Sequence, residues 1–419
     1  MARAESLGVW LGGARIAELT AGTDGSIDAR YTEEALDSWP QNSPVISCSL
    51  PLGARPQPAL AFCKGLLPEG NALQTLAHQA GLATSDTYGL LERYGRDVAG
   101  ALVIGAAAPG GRDFGVEEYS AETLREATED LDDHPLGSHD DSELSLAGLQ
   151  DKLLLVDLGE GGWGRPLHGR PSTHILKVDD DRRPGLIEAE AECLRLARAA
   201  GLTSVDVQLE AFGESRCLIV SRFDRETASG VLGRVHQEDL CQAAGIDPSQ
   251  REGRAKYERA GGPSLKQAAA LLDSYAGDVE SQLDRLVEIV TFTVLIGNAD
   301  AHGKNLAFLH PDPGVIELAP LYDTVPTVLW PKLRSEVVMS IGAQVSLPDV
   351  TLRDIVREAR IWRHPGDRAE EAARRTIDTA LAALDQGAIE SGSRVAKFVA
   401  GRAKQLLGGR RRAKAGSRG

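Results

Sequence analysis

The sequence predicts an α+β protein in which a small β-rich subdomain is followed by an α/β lobe and then by a mainly helical lobe. Two apolar runs flank Gly12 and Gly13 near the N-terminus, which is typical of a hairpin. Between about 145 and 225, the strand-like runs "DKLLLVDL", "THILKV" and "SRCLIVSRF" enclose an amphipathic segment. After Arg225, segments with helical spacing dominate.

The first part of the chain continues from the hairpin into helices. The segments "ALAFCKGLL", "ALQTLAHQAGL" and "TYGLLERYG" have helical spacing, with glycine at the expected ends. An acid-rich stretch at 117–143 predicts a helix followed by a mobile loop.

The α/β lobe contains the segment "PGLIEAEAECLRLARAAGL", which predicts a helix between two strands. The predicted buried face of that helix consists of Ile187, Cys193, Leu194, Ala197 and Leu202. The glycine-rich "GEGGWGRP" at 159–166 predicts a hairpin tip.

In the last lobe, the unusually apolar "VESQLDRLVEIVTFTVLIGN" predicts a central helix. The runs "NLAFL" and "GVIEL" predict a short hairpin, and two Ala-rich helices are expected at about 367–386 and 390–407.

Composition narrows the possible classes of protein. The chain has 419 residues, 42% of them hydrophobic, and a formal charge of −15, which argues against a surface that binds nucleic acid throughout. From Arg402 onward the tail has seven Lys or Arg and no acid, so a frayed tail and a contact with an acidic partner both remain open. The five scattered cysteines are expected to be reduced core residues. Neither a membrane span nor a signal peptide is evident, and we expect a cytoplasmic protein.

Three polar side chains lie in short breaks between strongly apolar runs. The segment "IGNADAHGKNLAF" contains Asp300 and Asn305, and "LAPLYDT" adds Asp323. In phosphoryl transfer, one carboxylate positions the attacking hydroxyl, while an amide and a second carboxylate bind the metal ion that neutralises the phosphates. The pattern D-x-x-x-x-N followed by an acid fits those roles in order, and such oxygen ligands suit Mg²⁺.

A phosphate site also needs a cation, which the α/β lobe can supply. Considered alone, Lys177 in "THILKV" is typical of a lysine at the end of a strand whose ammonium reaches water. Because it precedes Asp300, Asn305 and Asp323 in the order that phosphoryl transfer needs, we favour a contact with phosphate. A buried lysine needs an acidic partner, and the following helix offers Glu188, Glu190 and Glu192. Backbone N–H groups at 147–152 are candidates for binding phosphate oxygens, although the one glycine there matches known glycine-rich loops poorly.

Ten short segments, in one order between about residues 7 and 330, resemble those of a known family. They are "SCSLPL", "GLLPEG", "YGRDVAGAL", "SLAGLQDK", "THILKV", "VSRFDR", "HQEDLCQAAG", "KYERAGGP", "NADAHGKN" and "PLYD". In them the chain resembles the HipA-like serine/threonine kinases, toxins of bacterial toxin–antitoxin modules. The resemblance implies a two-lobed, protein-kinase-like fold. The expected parts are an N-terminal subdomain at 1–110, a nucleotide-binding lobe at 111–225, a helical catalytic lobe at 226–408 and a basic disordered tail at 409–419.

The resemblance also implies roles for individual residues. Asp300 would be the catalytic base, and Asn305 and Asp323 would bind the metal. Lys177 would bind phosphate, and Glu190 would be its partner among the three glutamates. The implied ATP-binding set is Ala147, Gly148, Leu149, Gln150, Asp151, Lys152, Lys177, Ser221, Arg222, Phe223, His302, Lys304, Asn305, Tyr322 and Asp323.

Two further expectations concern the hinge and regulation. The segment 221–223 would contact adenine through its backbone. Ser145 matches a serine that some family members phosphorylate on themselves, and the added negative charge would repel the phosphates of ATP.

The resemblance implies ATP and Mg²⁺ as cofactors and a HipB-like helix-turn-helix antitoxin as partner, with DNA contacted through that antitoxin. In well-known relatives the target is an aminoacyl-tRNA synthetase, whose phosphorylation arrests translation and growth. The segment "TVPTVLWPKLRSE" after Asp323 departs from the family pattern, so the target stays open.

Two other readings also remain. D-x-H-x-x-N is similar to the catalytic loop of phosphoinositide kinases, which leaves a small-molecule or lipid kinase possible, although an acidic chain suits lipid headgroups poorly. The other is a pseudokinase that only binds its antitoxin and acts as a co-repressor.

Overall fold

The computed structural model describes residues 4–108, 114–131, 136, 146, 152–179, 182–228, 231–331, 333 and 335–408. The acid-rich segment at 132–143, apart from Leu136, and the tail at 409–419 lie outside these residues, so the expected loop and the expected tail disorder remain predictions.

The N-terminal region is an antiparallel sheet with helices packed on it. Its elements are β1 (Leu7–Leu11), β2 (Ala14–Ala21), β3 (Ile27–Tyr31), α1 (Glu33–Ser38), β4 (Gln57–Pro58), α2 (Leu60–Gly65), α3 (Gly70–Ala80), α4 (Thr87–Tyr94) and β5 (Val103–Gly105). The strand order is β4-β3-β2-β1-β5. The predicted first hairpin is confirmed, since β1 pairs with β2 through Gly12 and Gly13, which have φ angles of 58° and 87°.

The α/β region contains the second sheet. Its elements are β6 (Gly115–Glu118), α5 (Ala121–Glu129), β7 (Lys152–Gly159), β8 (Gly162–Leu167), β9 (His174–Val178), α6 (Leu186–Ala199), β10 (Val207–Phe212) and β11 (Ser215–Ser221). The strand order is β10-β11-β9-β7-β8-β6.

Both faces of this second sheet are covered, which explains its unbroken apolar runs. Cys217 and Ile219 of β11 belong to the cluster that includes Leu124 of α5. Leu218 and Val220 face the other way, toward α6. The predicted buried stripe is confirmed, because its four residues in α6 and Leu202, just beyond the end of the helix, are at most 2% exposed.

The remainder of the chain is mainly helical with short strands between the helices. Its elements are β12 (Arg225–Ala228), β13 (Val231–Arg234), β14 (His236–Asp239), α7 (Leu240–Ala243), α8 (Gln250–Gly253), α9 (Leu265–Tyr275), α10 (Val279–Ile296), β15 (Ala307–His310), β16 (Glu317–Leu318), β17 (Glu336–Ile341), β18 (Gln344–Ser346), α11 (Leu352–Ile361), α12 (Gly366–Asp385) and α13 (Arg394–Gly408). Single 3₁₀ turns occur at Glu258–Ala260, Thr327–Leu329 and Leu347–Asp349.

Helix α10 lies at the centre of this region and packs against α9, α11, α12 and α13, as its apolar sequence predicts. The predicted hairpin of β15 with β16 is present, and strand β14 pairs with the other edge of β15. Helix α6 also packs on α12 and α13, so the α/β region and the helical region share a core.

Each of the five cysteines is buried and free, which confirms the expectation of reduced core residues. Within the described residues, no helix combines the length and apolar character that crossing a membrane requires.

Candidate active site

The loop that contains Asp300 and Asn305 begins where helix α10 ends. Gly297 caps α10 in the left-handed conformation, with φ 81°, which glycine adopts without strain. A Cβ atom at this position would collide with Val328 and lie 2.8 Å from Phe398. Because α10 is fixed in the core and its cap is tightly enclosed, the loop starts from a fixed point.

The loop is stabilised by its own hydrogen bonds. The Asp300 N–H donates to Oδ1 of Asn298 at 3.0 Å, and the His302 N–H donates to the Asp300 carbonyl at 2.8 Å. The Asn305 N–H donates to the His302 carbonyl at 2.8 Å, and its side-chain amide donates to the Asp300 carbonyl at 3.4 Å. The acid and the amide of D-x-x-x-x-N are therefore neighbours on a single turn.

Asp323 approaches this loop from the segment after β16. Its backbone adopts φ 51°, a left-handed conformation that Asp and Asn tolerate better than most residues. The preceding Tyr322 donates its hydroxyl to the Lys304 carbonyl at 2.6 Å, which ties the two segments together.

Lys177 of β9 joins both sides of the site. Its ammonium donates to Glu190 of α6 at 2.7 Å and to Asp323 at 2.9 Å. Of the three glutamates that the spacing left open, Glu190 is the one beside the lysine, and it is 2% exposed. Glu188 pairs with Arg216 instead, and Glu192 lies near Ser393.

These charges stabilise one another. Burial disfavours the charged form of Lys177, but the carboxylates of Asp323 and Glu190 outweigh it and raise the pKa of the lysine above its ordinary value. Burial also opposes charge on Asp323, yet the Lys177 ammonium lowers the pKa of Asp323 to about 2. Lys177 and Asp323 are therefore both charged at neutral pH.

A second lysine lies next to Lys177. Lys152 of β7 stands opposite Lys177 in the antiparallel pairing of β7 with β9 and lines the same cleft. Burial, followed by the charge of Lys177, lowers the pKa of Lys152 to about 8. Ser145 and the other predicted nucleotide-loop residues, at 147–151, lie outside the described residues.

The predicted hinge uses much of its backbone within the protein. The Ser221 N–H donates to the Asp206 carbonyl, and the Arg222 N–H donates to the Thr173 carbonyl, both at 2.9 Å. Neither N–H is therefore available to an adenine ring. The Phe223 ring packs 5.1 Å from the ring of Tyr322 in the same cleft.

The Arg222 side chain is part of a buried charge cluster. Its guanidinium donates to both carboxylate oxygens of Asp224, at 2.9 and 2.8 Å, to the Ser172 hydroxyl at 2.8 Å, and to the Val98 carbonyl at 3.0 Å. Arg225 joins the cluster through Asp97 at 2.8 Å. These contacts connect the N-terminal region with the hinge, so the Arg222 side chain has a structural role.

His302 and Lys304 line the same cleft as Lys177 but make a different set of contacts. Nδ1 of His302 accepts the Lys304 N–H at 3.3 Å, and its ring lies 5.5 Å from that of Tyr257. Burial, followed by the charge of Lys256, lowers the pKa of His302 to about 3, so the ring is neutral. The Lys304 ammonium lies 3.1 Å from Asp239.

The predicted residues that the structure describes surround one cleft of about 550 Å³, a size typical of small-molecule sites. Its lining combines apolar side chains, among them Ile175, Val205 and Val220, with the charged residues described above.

The donor set around Asp323 fits a magnesium ion. Lys177 contacts one carboxylate oxygen of Asp323, and Asn305 uses its amide N–H in the loop, so a carboxylate oxygen and an amide oxygen remain as hard ligands. Among the described residues, no group of three His, Cys, Asp or Glu side chains is placed to bind a metal ion. That is expected of Mg²⁺ sites in which phosphates and water complete the octahedron.

Some residues of the cleft were not predicted. Glu69, Asp239, Lys256 and Tyr257 line it, and the first three form ion pairs next to the loop. The segments "GLLPEG", "HQEDLCQAAG" and "KYERAGGP" were noted for their resemblance, but nothing in their spacing indicates that they meet.

Comparisons with known proteins agree with this architecture. The HipA N-terminal domain matches residues 7–105, and the HipA-like C-terminal domain matches residues 144–386. The protein named "Putative kinase Y4mE" from Sinorhizobium fredii is 34% identical over 95% of this chain and 97% of its own length. The serine/threonine-protein kinase toxin HipA of Shewanella oneidensis is 30% identical over 81% of this chain and 79% of its own length.

The fold is also similar to that of a solved complex, in which Shewanella oneidensis MR-1 HipA is bound to HipB and operator DNA. The TM-score is 0.79 at 25% identity, with 96% of each chain covered. With both family domains matched and relatives aligned along most of its length, this chain belongs to the family of HipA-like kinases.

Proposed function

We propose that this chain is a Mg-ATP-dependent kinase that phosphorylates serine or threonine in a protein target. The observation that carries the proposal is the double contact of Lys177 with Glu190 and Asp323, which joins the two sides of the cleft. When bound, ATP supplies the phosphoryl group and Mg²⁺ neutralises the charge that develops during transfer.

The side chains of the cleft bind the metal and the phosphates and accept the proton of the substrate. Asp300 accepts a hydrogen bond from the substrate hydroxyl and removes its proton, while the metal is bound by oxygens of Asn305 and Asp323. Lys177 and Lys152 bind phosphate oxygens from adjacent strands, as their opposed positions favour.

The nucleotide base occupies the apolar part of the cleft. Ile175, Val205 and Val220 provide its surface. The N–H groups of Ser221 and Arg222 donate hydrogen bonds within the protein, so the backbone of Phe223 makes the hinge contact with adenine.

The kinase acts as the toxin of a toxin–antitoxin pair. This is supported by the relative named as a HipA toxin and by the solved HipA complex with HipB and operator DNA. A net charge of −15 favours DNA contact through a helix-turn-helix antitoxin rather than directly. Purification with the product of a neighbouring reading frame, followed by operator binding with and without that product, tests the partner.

The target is a cytoplasmic protein, by resemblance an aminoacyl-tRNA synthetase, whose phosphorylation stops growth. Autophosphorylation at Ser145 would silence the kinase. Phosphoproteomics after induced expression, wild type against Asp300→Ala, identifies the target and any modification of Ser145.

The kinase activity itself is tested with purified full-length protein, radiolabelled ATP and Mg²⁺. Label on protein should fall by about 10²- to 10⁴-fold in Asp300→Ala, while nucleotide binding persists. Asp312→Ala, in the exposed turn between β15 and β16, is the matched control and should label normally. Wild-type protein that binds no nucleotide would indicate a pseudokinase, and transfer only to added small molecules or lipids would indicate the other kinase class.

A further inference from the structure

The N-terminal region forms part of the wall of the cleft beside the catalytic loop. Gly65 and Glu69 line the same cleft as Asp300 and Asn305. Glu69 immediately precedes α3, and its side chain does not cap that helix. It reaches instead across the boundary between the N-terminal and helical regions.

Glu69 contacts the loop first through Lys256. The Lys256 ammonium donates to Glu69 at 3.0 Å, and the Lys256 carbonyl accepts the N–H of Gly303 at 3.2 Å. Gly303 lies between Asp300 and Asn305, so this path leads directly to the predicted base and metal ligand.

The second contact is with Lys304, the residue before Asn305. Its ammonium lies 3.8 Å from the other oxygen of Glu69, 3.4 Å from the Gly65 carbonyl and 3.1 Å from Asp239. The 3.8 Å separation is beyond hydrogen-bond distance, so this contact is electrostatic.

Charge balance makes Glu69 important to this cluster. Lys256 and Lys304 are both buried, and Glu69 and Asp239 are their carboxylate partners among the described residues. Burial raises the pKa of Glu69, but the charges of Lys304 and Lys256 outweigh it and the net effect is a lowered pKa. Without Glu69, Lys304 would keep Asp239, but the buried ammonium of Lys256 would lose its carboxylate partner next to the loop, which is unfavourable.

We propose that Glu69 is a positioning residue for phosphoryl transfer. Through Lys256 and Lys304 it holds the catalytic loop in place, so the N-terminal domain completes the active site in addition to any role in binding a partner. The inference rests on the proposed kinase function, and Glu69 acts in it through Lys256 and Lys304 and not on the reacting groups.

The test compares full-length wild type with Glu69→Gln and a matched control. Glu69→Gln removes the charge but keeps the shape. Lys64→Met breaks another ion pair between the N-terminal and helical regions, Lys64 with Asp247 at 2.7 Å, which does not touch the loop. Glu69→Asp keeps the charge on a shorter side chain.

We expect Glu69→Gln to lower kcat by about tenfold to 100-fold, with the Kd of a non-hydrolysable ATP analogue changed by less than about threefold. Lys64→Met should leave kcat unchanged, and Glu69→Asp should recover part of the loss. Hydrogen exchange should be faster at Gly303 and Asn305 in Glu69→Gln and unchanged there in Lys64→Met.

An unchanged kcat with unchanged loop exchange in Glu69→Gln would overturn the inference, as would equal losses in Lys64→Met. If Glu69→Gln does not fold, Glu69→Asp is compared with wild type: a lowered kcat with faster exchange at Gly303 and Asn305 supports the inference, and wild-type values of both overturn it. If wild-type protein transfers no phosphate, the proposed function fails, and loop exchange alone then decides whether Glu69 holds the loop.

Discussion

The ammonium of Lys177 lies 2.9 Å from a carboxylate oxygen of Asp323, although the two residues are 146 positions apart. The first belongs to the second sheet, and the other follows the β15–β16 hairpin. Since Glu190 binds the same ammonium, one lysine joins a strand, a helix and the segment next to the catalytic loop.

Replacing Lys177 by Met should destabilise the protein. Glu190 is 2% exposed, and its carboxylate would lose its cation, which costs about 3–5 kcal/mol when one partner of a buried pair is removed. Adding Glu190→Gln should recover much of that loss, because an amide has no net charge to bury. Urea unfolding of both single variants and the double variant measures the coupling. Strictly additive losses would show that the pair contributes no coupling energy.

The affinity for ATP should decline at alkaline pH because of Lys152. Its pKa of about 8 means that the ammonium is present below pH 8 and lost above it, and only the charged form attracts phosphate. We expect the Kd of an ATP analogue to rise by up to about tenfold per pH unit above 8.

Two variants isolate this effect. Lys152→Arg remains charged throughout and should bind with little pH dependence between 7 and 9.5, whereas Lys152→Met should bind weakly at every pH in that range. The same alkaline decline in Lys152→Met would assign it to another group.

Asp323→Asn should weaken the response to Mg²⁺. Asn tolerates the left-handed backbone of this position, φ 51°, so the variant changes charge with little added strain, which Ala would not achieve. The Mg²⁺ concentration for half-maximal label transfer should rise at least about tenfold, equivalent to about 1.4 kcal/mol. Asp273→Asn on the exposed face of α9 is the control. An unaltered Mg²⁺ titration in Asp323→Asn would exclude this carboxylate as a ligand.

The parts of the fold that could be predicted are those with strong local periodicity. Helix α10, the buried stripe of α6 and the β15–β16 hairpin all follow from apolar spacing. The segment at 159–166 was only partly predicted: a turn occurs at its glycines, but Gly162–Leu167 forms strand β8. Pro166 fits there because β8 pairs with β7 only as far as Gly164, so the proline has β6 alone as its neighbour.

In the candidate site, too, residues close together in sequence could be predicted from their spacing and residues far apart could not. The acid-to-amide spacing of Asp300 and Asn305 can be read from the sequence because one turn contains both residues. Glu69 cannot be found by spacing, since Lys256 is 187 positions away. The backbone contact with the nucleotide that was expected at Arg222 stays a prediction. Its side chain bonds to the carbonyl of Val98, 124 positions away, which only the folded chain reveals.

His236 should make the protein sensitive to mild acid. It lies where the N-terminal region meets β14: its Nε2 is 2.8 Å from the Ile46 carbonyl, and its ring lies 4.7 Å from that of His310. Nδ1 of neither ring has a hydrogen-bond partner among the described residues. Burial, followed by the electrostatic effect of His310, lowers the pKa of His236 to about 3, against the opposing effects of the hydrogen bond to Ile46 and of the carboxylates of Glu238 and Asp224.

The direction of the pH effect follows from this lowered pKa. The unfolded chain binds a proton at His236 below about pH 6.5, whereas the folded protein does not until about pH 3. Stability is therefore complete above pH 6.5 and falls as the pH decreases, by up to about 1.4 kcal/mol per pH unit for each such histidine. His302, with a pKa lowered to about 3, adds an equal contribution.

Urea unfolding of the full-length protein at pH 7, 6 and 5 measures the slope. His236→Gln keeps a donor for the Ile46 carbonyl and should remove about half of the slope that the two histidines produce, whereas His78→Gln, at an exposed position of α3, should change nothing. The window stays above pH 5 because carboxylates with lowered pKa values, such as Asp224, lose their contribution only in stronger acid. A slope that is the same in His236→Gln and in wild type would mean that His236 becomes protonated in the folded protein at about the same pH as in the unfolded chain, with its Nε2–H still donating to the Ile46 carbonyl.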